Sequence, residues 1–290
     1  MSRETLGLFL GVVGVAVFAG TLPFTRLAVA GLDPWFVTAG RAAVSGVIAA
    51  AVLLILRRPV PDRASRGPLI LASVCVVGVF PVSIAFAMRT VDASHGGVVL
   101  GILPLATAVL AAWRTGERPA LGFWLAAFAG AALVVGFALY GGGGRLQVGD
   151  LLLAAAVASS ALGYVISGQL TGRYAAWEVI SWELAIALPV TLPVALWFAP
   201  AAPSAVPAWS WIGFAYVALM SQYLGFFAWN AGLAMGGISR VSQVQLVQTF
   251  FTLGIAAVIN GETVGPSTWA VAAAVVLLIA IGRRSAIRRT

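Results

Sequence analysis

Two apolar, helix-length runs in this 290-residue chain close on the same dipeptide, Gly116-Glu117 and Gly261-Glu262, 145 residues apart. Trp124 and Trp269 follow the two pairs at the same spacing. Near the start of each unit Gly7 pairs with Gly149, and Trp35 with Trp177, at an offset of 142. A three-residue insertion or deletion inside the unit reconciles the two offsets. Agreement among four markers at nearly one spacing reads as a duplication, so the chain is two copies of one structural unit.

The medium in which that unit folds follows from composition. Hydrophobic residues make up 61% of the chain, charged residues 9%, and mean hydropathy is +1.02, whereas soluble domains carry about 25% charged residues. This is the composition of an integral membrane protein. A helix needs ~20 predominantly apolar residues to cross a hydrocarbon core of about 30 Å. Ten such runs are expected, near 5–28, 35–56, 69–88, 95–113, 120–140, 149–170, 178–198, 211–232, 242–260 and 267–282. The runs are apolar all round, without the alternation that a membrane barrel requires.

All 17 basic residues are Arg, and the net charge is +8. With a cytoplasmic N-terminus, the inner segments hold Arg3, Arg57, Arg58, Arg63, Arg66, Arg114, Arg118, Arg173, Arg240, Arg283, Arg284, Arg288 and Arg289. The outer loops then hold only Arg89 and Arg145, with Arg26 and Arg41 in the outer halves of spans 1 and 2. Positive charge resists translocation, so this asymmetry predicts that both termini are cytoplasmic. The basicity thus reports topology and gives no reason to expect a nucleic-acid partner. Span 1 is expected to remain as a signal anchor, since no small-residue cleavage pattern follows it before Pro23. Cys75 lies alone within span 3 and forms no internal disulfide.

The expected fold class is therefore an all-α membrane protein of ten transmembrane helices in two five-helix repeats, residues 1–144 and 145–290, joined by the glycine run Gly141 to Gly144. Five is odd, so the second copy enters the bilayer from the opposite side and the repeat is inverted. Two oppositely oriented copies can exchange conformations around a central site, which predicts an alternating-access secondary transporter. The alternative is a passive channel or a structural membrane protein without a substrate cycle.

The five-helix duplication, an Arg a turn or two into span 2 (Pro34 to Arg41), the Leu103-Pro104-Leu105 element of span 4 and the two Gly-Glu pairs together resemble the EamA family of the drug/metabolite transporter superfamily. Within it the chain looks most like the bacterial YddG-type amino-acid exporters. The resemblance implies export of small neutral metabolites, amino acids and aromatic ones among them, across the bacterial inner (plasma) membrane. In one respect the copies differ: Leu103-Pro104-Leu105 has no proline counterpart, the offset landing on Thr249. The two halves are not expected to bend identically.

A charged group within hydrocarbon costs at least ~2.5 kcal/mol, so a span keeps one only where it is partnered, faces the interior or snorkels. Arg26, Arg41, Glu183 and His95 are the positions to explain. Arg41 and Glu183 are repeat-related by the 142 offset. Arg41 could attract a substrate carboxylate, or cap helix C-termini and snorkel outward; Glu183 could engage an amine or carry a proton, or do the mirror equivalent. His95, the only histidine, stands before Gly96-Gly97 at the expected outer start of span 4. Glu183, His95 and Arg41 are the candidates for proton or charge coupling, uniport down the substrate's own gradient being the alternative.

Span 9 opens with Ser242, Gln243, Gln245 and Gln248, and span 8 adds Gln222 and Asn230. Amides can bridge both ends of a zwitterion without the desolvation cost of fixed charge, so Gln245, Gln248, Gln222, Asn230 and His95 are candidate substrate-binding residues. Phe86, Tyr164 and Trp229, with Tyr223 and Phe227, are candidates for an apolar wall. No H-E-x-x-H, G-x-S-x-G, Walker A or CxxC pattern is present, so neither an enzyme, a resident cofactor nor a metal is expected. The expected partners are a small-molecule substrate and the lipid bilayer, with the protein acting as a monomer.

Overall fold

The computed structural model describes residues 2–115, 118–119, 121–141, 143–237, 241, 244–284 and 287–288. Gly116-Glu117, Ser242 and Gln243 lie outside the described residues. Helices α1 (Arg3–Ala19) and α2 (Thr21–Val29) are followed by α3 (Pro34–Ile55). A π-helical stretch, Val74–Val79, joins α4 (Arg63–Ser73) to α5 (Phe80–Ala87), and α6 (Ala93–Leu100), α7 (Leu103–Thr115) and α8 (Leu121–Gly141) complete the first half. The second half holds α9 (Val148–Leu170), α10 (Ala176–Trp197) and α11 (Ala208–Ala215), which a π-helical stretch, Tyr216–Leu224, joins to α12 (Gly225–Gly236); α13 (Gln245–Ile259) and α14 (Pro266–Arg284) follow. Apart from a two-residue backbone pairing of Arg118–Pro119 with Ile287–Arg288, the regular structure is helical.

Eight helical stretches are long and apolar enough to cross a membrane, from Arg3–Val29 to Ala208–Gly236. The ninth and tenth expected runs fall short of that length over the described residues, as Gln245–Ile259 and Pro266–Leu278. Among the described residues the structure thus holds eight stretches of crossing length and two shorter apolar helices.

The duplication is visible in the element boundaries. α3 and α10 begin and end 142 residues apart, α8 and α14 begin 145 apart, and the two π-helical stretches begin at Val74 and Tyr216, again 142 apart. The three-residue difference therefore falls within the π stretch, which ends at Val79 and Leu224, 145 apart. Packing repeats as well: α3 packs on its own counterpart α10, α8 on its counterpart α14, and α1 on α12 as α9 packs on α5. α3 and α10 run antiparallel, since Gly46 meets Leu184 and Leu188 while Ala39 and Ala43 meet Ala195.

Small residues set the closest approach. A Cβ at Gly7 would stand 2.5 Å from the Gly236 nitrogen, and one at Gly232 would stand 2.9 Å from the Gly11 nitrogen, so α1 and α12 touch backbone to backbone. The break between α1 and α2 has an identifiable cause: the Tyr216 hydroxyl donates to the Val17 carbonyl at 2.8 Å, beside Gly20. Tyr216 opens the second π-helical stretch. The span-4 break follows from Gly101 and Ile102 leaving the helical ladder before Pro104, whereas α13 runs unbroken through Thr249.

Candidate functional site

A broken span and two π-helical spans supply the polar centre of the bundle. π-helical turns widen the backbone and recur at functional sites, and here they turn side chains and carbonyls toward the other half. Gln222 Nε2 donates to the Val76 carbonyl at 3.5 Å, and Ser45 Oγ donates to the Ala218 carbonyl. Val76 and Ala218 are themselves 142 apart, so equivalent carbonyls in the two π stretches are each met by a side chain from the opposite copy.

Between these elements lies a small cavity of about 20 Å³, lined by Phe18, Thr21, Leu22, Arg41, Val76, Phe80, Leu100, Leu103, Tyr164, Ser221, Gln222, Phe226 and Gln248. A second, of about 10 Å³, shares Leu22, Leu100, Leu103 and Gln248 and adds Gly97, Gln245, Thr249 and Thr252. Each is about the room of one water. A metabolite enters only when the lining helices separate.

Arg41 dominates the chemistry of this centre. It is 2% exposed, so it does not snorkel outward as one reading of the sequence had it. Its Nη2 donates to Ser221 Oγ at 3.1 Å, and Ser221 Oγ is 2.8 Å from Thr21 Oγ1 at the start of α2. Nε and Nη1 find no partner among the described residues, and no carboxylate lines either cavity. A buried cation with an unfilled face, backed by Phe18, Phe80 and Phe226, is chemically matched to a small anion carrying an apolar group.

Of the residues singled out from the sequence, Arg41, Tyr164, Gln222, Gln245 and Gln248 come together here. Gln245 is 3% exposed, and neither of its amide atoms has a partner among the described residues. Four others are elsewhere. Phe86 packs edge-on to Trp35 with ring centroids 5.2 Å apart and does not reach the cavity. Asn230 donates to the Ala176 carbonyl at 3.2 Å, tying α12 to α10. Trp229 stands behind the lining, 5.5 Å from the Tyr164 ring. His95 pairs with Asp150 at 2.6 Å, stacks on Phe137, and lines a separate cavity of about 490 Å³ between α6, α8 and α14.

Glu183 is fully buried away from both cavities. Its Oε1 accepts from Ser167 Oγ at 2.7 Å, its Oε2 has no partner among the described residues, and its backbone carbonyl accepts from Ser73 Oγ. Like Arg41, it does not reach the bundle surface. Phe18, Thr21, Ser221 and Phe226 were not anticipated; Thr21 was detectable as a hydroxyl beside a glycine in the middle of an apolar run.

The repeated Gly-Glu pair acquires a role in the second copy. Gly261 takes φ +66°, and Glu262 turns back so that its two oxygens accept from Ala93 N and Ser94 N, each at 2.8 Å. Arg26 bridges Glu262 at 3.4 Å and Asp92 at 2.7 Å, which accounts for its retention in span 1. Among the described residues no three His, Cys, Asp or Glu side chains converge as metal ligands would.

A duplicated helical bundle around a closed, polar, cation-bearing centre defines a multi-pass membrane transporter. The EamA-like transporter family model matches the chain twice, over residues 5–139 and 147–282, and the chain belongs to that family with two EamA domains. It is 43% identical over 286 residues, 99% of this chain and 100% of the relative, to a Bacillus subtilis (strain 168) protein named "Uncharacterized transporter YdeK". A solved structure described only as "Crystal structure of protein" shares the fold at TM-score 0.69 and 17% identity, covering 98% of this chain and 100% of that one.

Proposed function

We propose that this protein is an alternating-access carrier of amino acids with apolar side chains, aromatic ones included. The observation that carries the proposal is the unfilled face of Arg41. A guanidinium presents paired N–H groups that match a carboxylate, Gln222, Gln245 and Gln248 offer amides to the amino group, and the phenylalanines accept the side chain. The cavity's small volume supports a closed state within a cycle rather than a standing pore. Export across the bacterial inner membrane is the direction that the family resemblance supports.

The proposed topology is ten spans in two inverted repeats, 1–144 and 145–290, with both termini in the cytoplasm. The antiparallel packing of α3 on its counterpart α10 supports the inversion, because equivalent helices in copies of the same orientation would run parallel. Any coupled proton is assigned to Glu183, whose second oxygen has no donor; His95 is already engaged by Asp150.

The test is a thermal-shift screen of the twenty amino acids on purified protein, with the methyl ester of each hit alongside. Stabilisation by the free acid and not by the ester is expected. Equal stabilisation by both removes the carboxylate from the account.

A further inference from the structure

Far from the central site, at the end of the bundle that carries Arg58, Arg114 and Arg173, a crevice of about 260 Å³ opens between the start of α4 and the ends of α7 and α9. It is lined by the polar Ser65, Arg114, Gln169 and Arg173 and by the apolar Ala64, Pro68, Ile166 and Leu170. We infer that this crevice is a binding site for a phosphate group, with Arg114 and Arg173 supplying charge and the Ser65 hydroxyl and Gln169 amide supplying neutral donors.

Three observations carry the inference. Ser65 is 1% exposed and lines the crevice, and its Oγ makes no hydrogen bond within 3.5 Å among the described residues, although its side chain interacts with the Asp62 carboxylate. A buried hydroxyl that the protein itself leaves unsatisfied costs stability unless a ligand meets it. Second, neither Arg114 nor Arg173 is in an ion pair within 4.0 Å among the described residues. Third, Asp62, at the start of α4, is already occupied. Asp62 accepts from the Ser65 backbone N–H at 2.7 Å and from the Tyr174 hydroxyl at 3.3 Å; the Ser65 backbone bond first, then the Ser65 side chain, and less the Tyr174 hydroxyl and the Arg173 charge, hold its carboxyl below the usual carboxylate range. Among the described residues no carboxylate lines the crevice, and its charged groups are Arg114 and Arg173.

Most of the lining residues sit in or just beyond the end turns of α4, α7 and α9, at the ends of apolar, membrane-crossing stretches. A basic pocket between helices at that level fits an anionic headgroup, with Ala64, Pro68, Ile166 and Leu170 beside the first methylenes of its chains. Free phosphate presents the same oxygens. The shared chemistry is a phosphate oxyanion, and the two sources differ only in the attached chains.

The experiment measures thermal unfolding of the full chain in detergent with inorganic phosphate, with phosphatidylglycerol, or with phosphatidylcholine of the same chains. The inference expects stabilisation by phosphatidylglycerol well beyond phosphatidylcholine if the source is lipid, or by inorganic phosphate if it is the free ion. Each of Arg114→Gln and Arg173→Gln should weaken the half-saturating concentration by about fivefold. Ser65→Ala should weaken it less, and Asp62→Asn, which keeps the helix cap, should strengthen it. Equal response to all three additives, or a response that all four variants leave unchanged, overturns the assignment. Should an arginine variant fail to fold, Asp62→Asn and Ser65→Ala decide the matter on their own.

Discussion

Replacing Arg41 by Met separates a binding role from a structural one, because the two predict opposite signs in the free protein. In the native bundle the guanidinium keeps one hydrogen bond, to Ser221 at 3.1 Å, while Nε and Nη1 go without partners among the described residues. Losing the charge-assisted Ser221 bond costs about 1.5–3 kcal/mol, and removing an unpaired buried charge returns a comparable or larger amount, commonly several kcal/mol. The substrate-free variant should therefore unfold at the same temperature as wild type or higher. Binding should move the other way. Two charge-assisted bonds to a carboxylate are worth about 1.5–3 kcal/mol each, together ~3–6 kcal/mol, or roughly 10²- to 10⁴-fold in Kd. Arg41→Lys, which keeps the charge but not the fork, should fall between. The assay is unfolding in detergent over a titration of phenylalanine, leucine and their esters, read through the linkage between stabilisation and ligand concentration. A Met variant that melts lower without substrate yet keeps its full response to amino acids would show that Arg41 is a strut.

The other expectations concern separate parts of the bundle. Gln245→Leu and Gln248→Leu should each abolish substrate-induced stabilisation while leaving expression and monodispersity intact, since the buried Gln245 amide has no partner among the described residues to lose and Gln248 lines both cavities; unchanged transport in both variants would reduce the amides to packing. Gly7→Ala forces α1 off α12 at a 2.5 Å contact and should cost about 1–3 kcal/mol, measured as a lowered unfolding midpoint. With Cys75 buried, cysteines introduced at the exposed Gly67 and Arg145 should react with an impermeant maleimide from opposite faces of the membrane, and labelling from one face would sink the inverted topology. In liposomes carrying a pH gradient, Glu183→Gln should reduce accumulation to equilibration; identical substrate levels with and without the gradient in wild type would assign the cycle to uniport.

What could be read in advance follows from what periodicity encodes. The 142 offset predicted a common unit, and α3 with α10, and the starts of the two π-helical stretches, keep it to the residue. The offset was silent about the stretches being π-helical, because their apolar residues satisfy a helical pattern of either width. Arg41 and Glu183 were legible as costly charges in apolar runs, but depth along a helix does not reveal which neighbours face it. Their burial emerged only from the packing of α3 against the second π stretch and of α10 against α4 and α9. His95 was misplaced for a similar reason: its partner Asp150 is 55 residues away, and nothing local announces the pair. Glu262 was recognised as a repeat marker, whereas its work as a cap on α6 depends on a contact 168 residues distant.

The central claim, a carrier that closes over a carboxylate at Arg41 and opens to either side, is tested most directly by counterflow. Protein reconstituted in liposomes is loaded with unlabelled phenylalanine or another amino acid that stabilises it, and labelled substrate is added outside. A carrier predicts transient accumulation of label above equilibrium, accelerated by the substrate inside and lost in Arg41→Met. Label that merely equilibrates, at a rate indifferent to the internal substrate, would contradict alternating access and leave a passive pore.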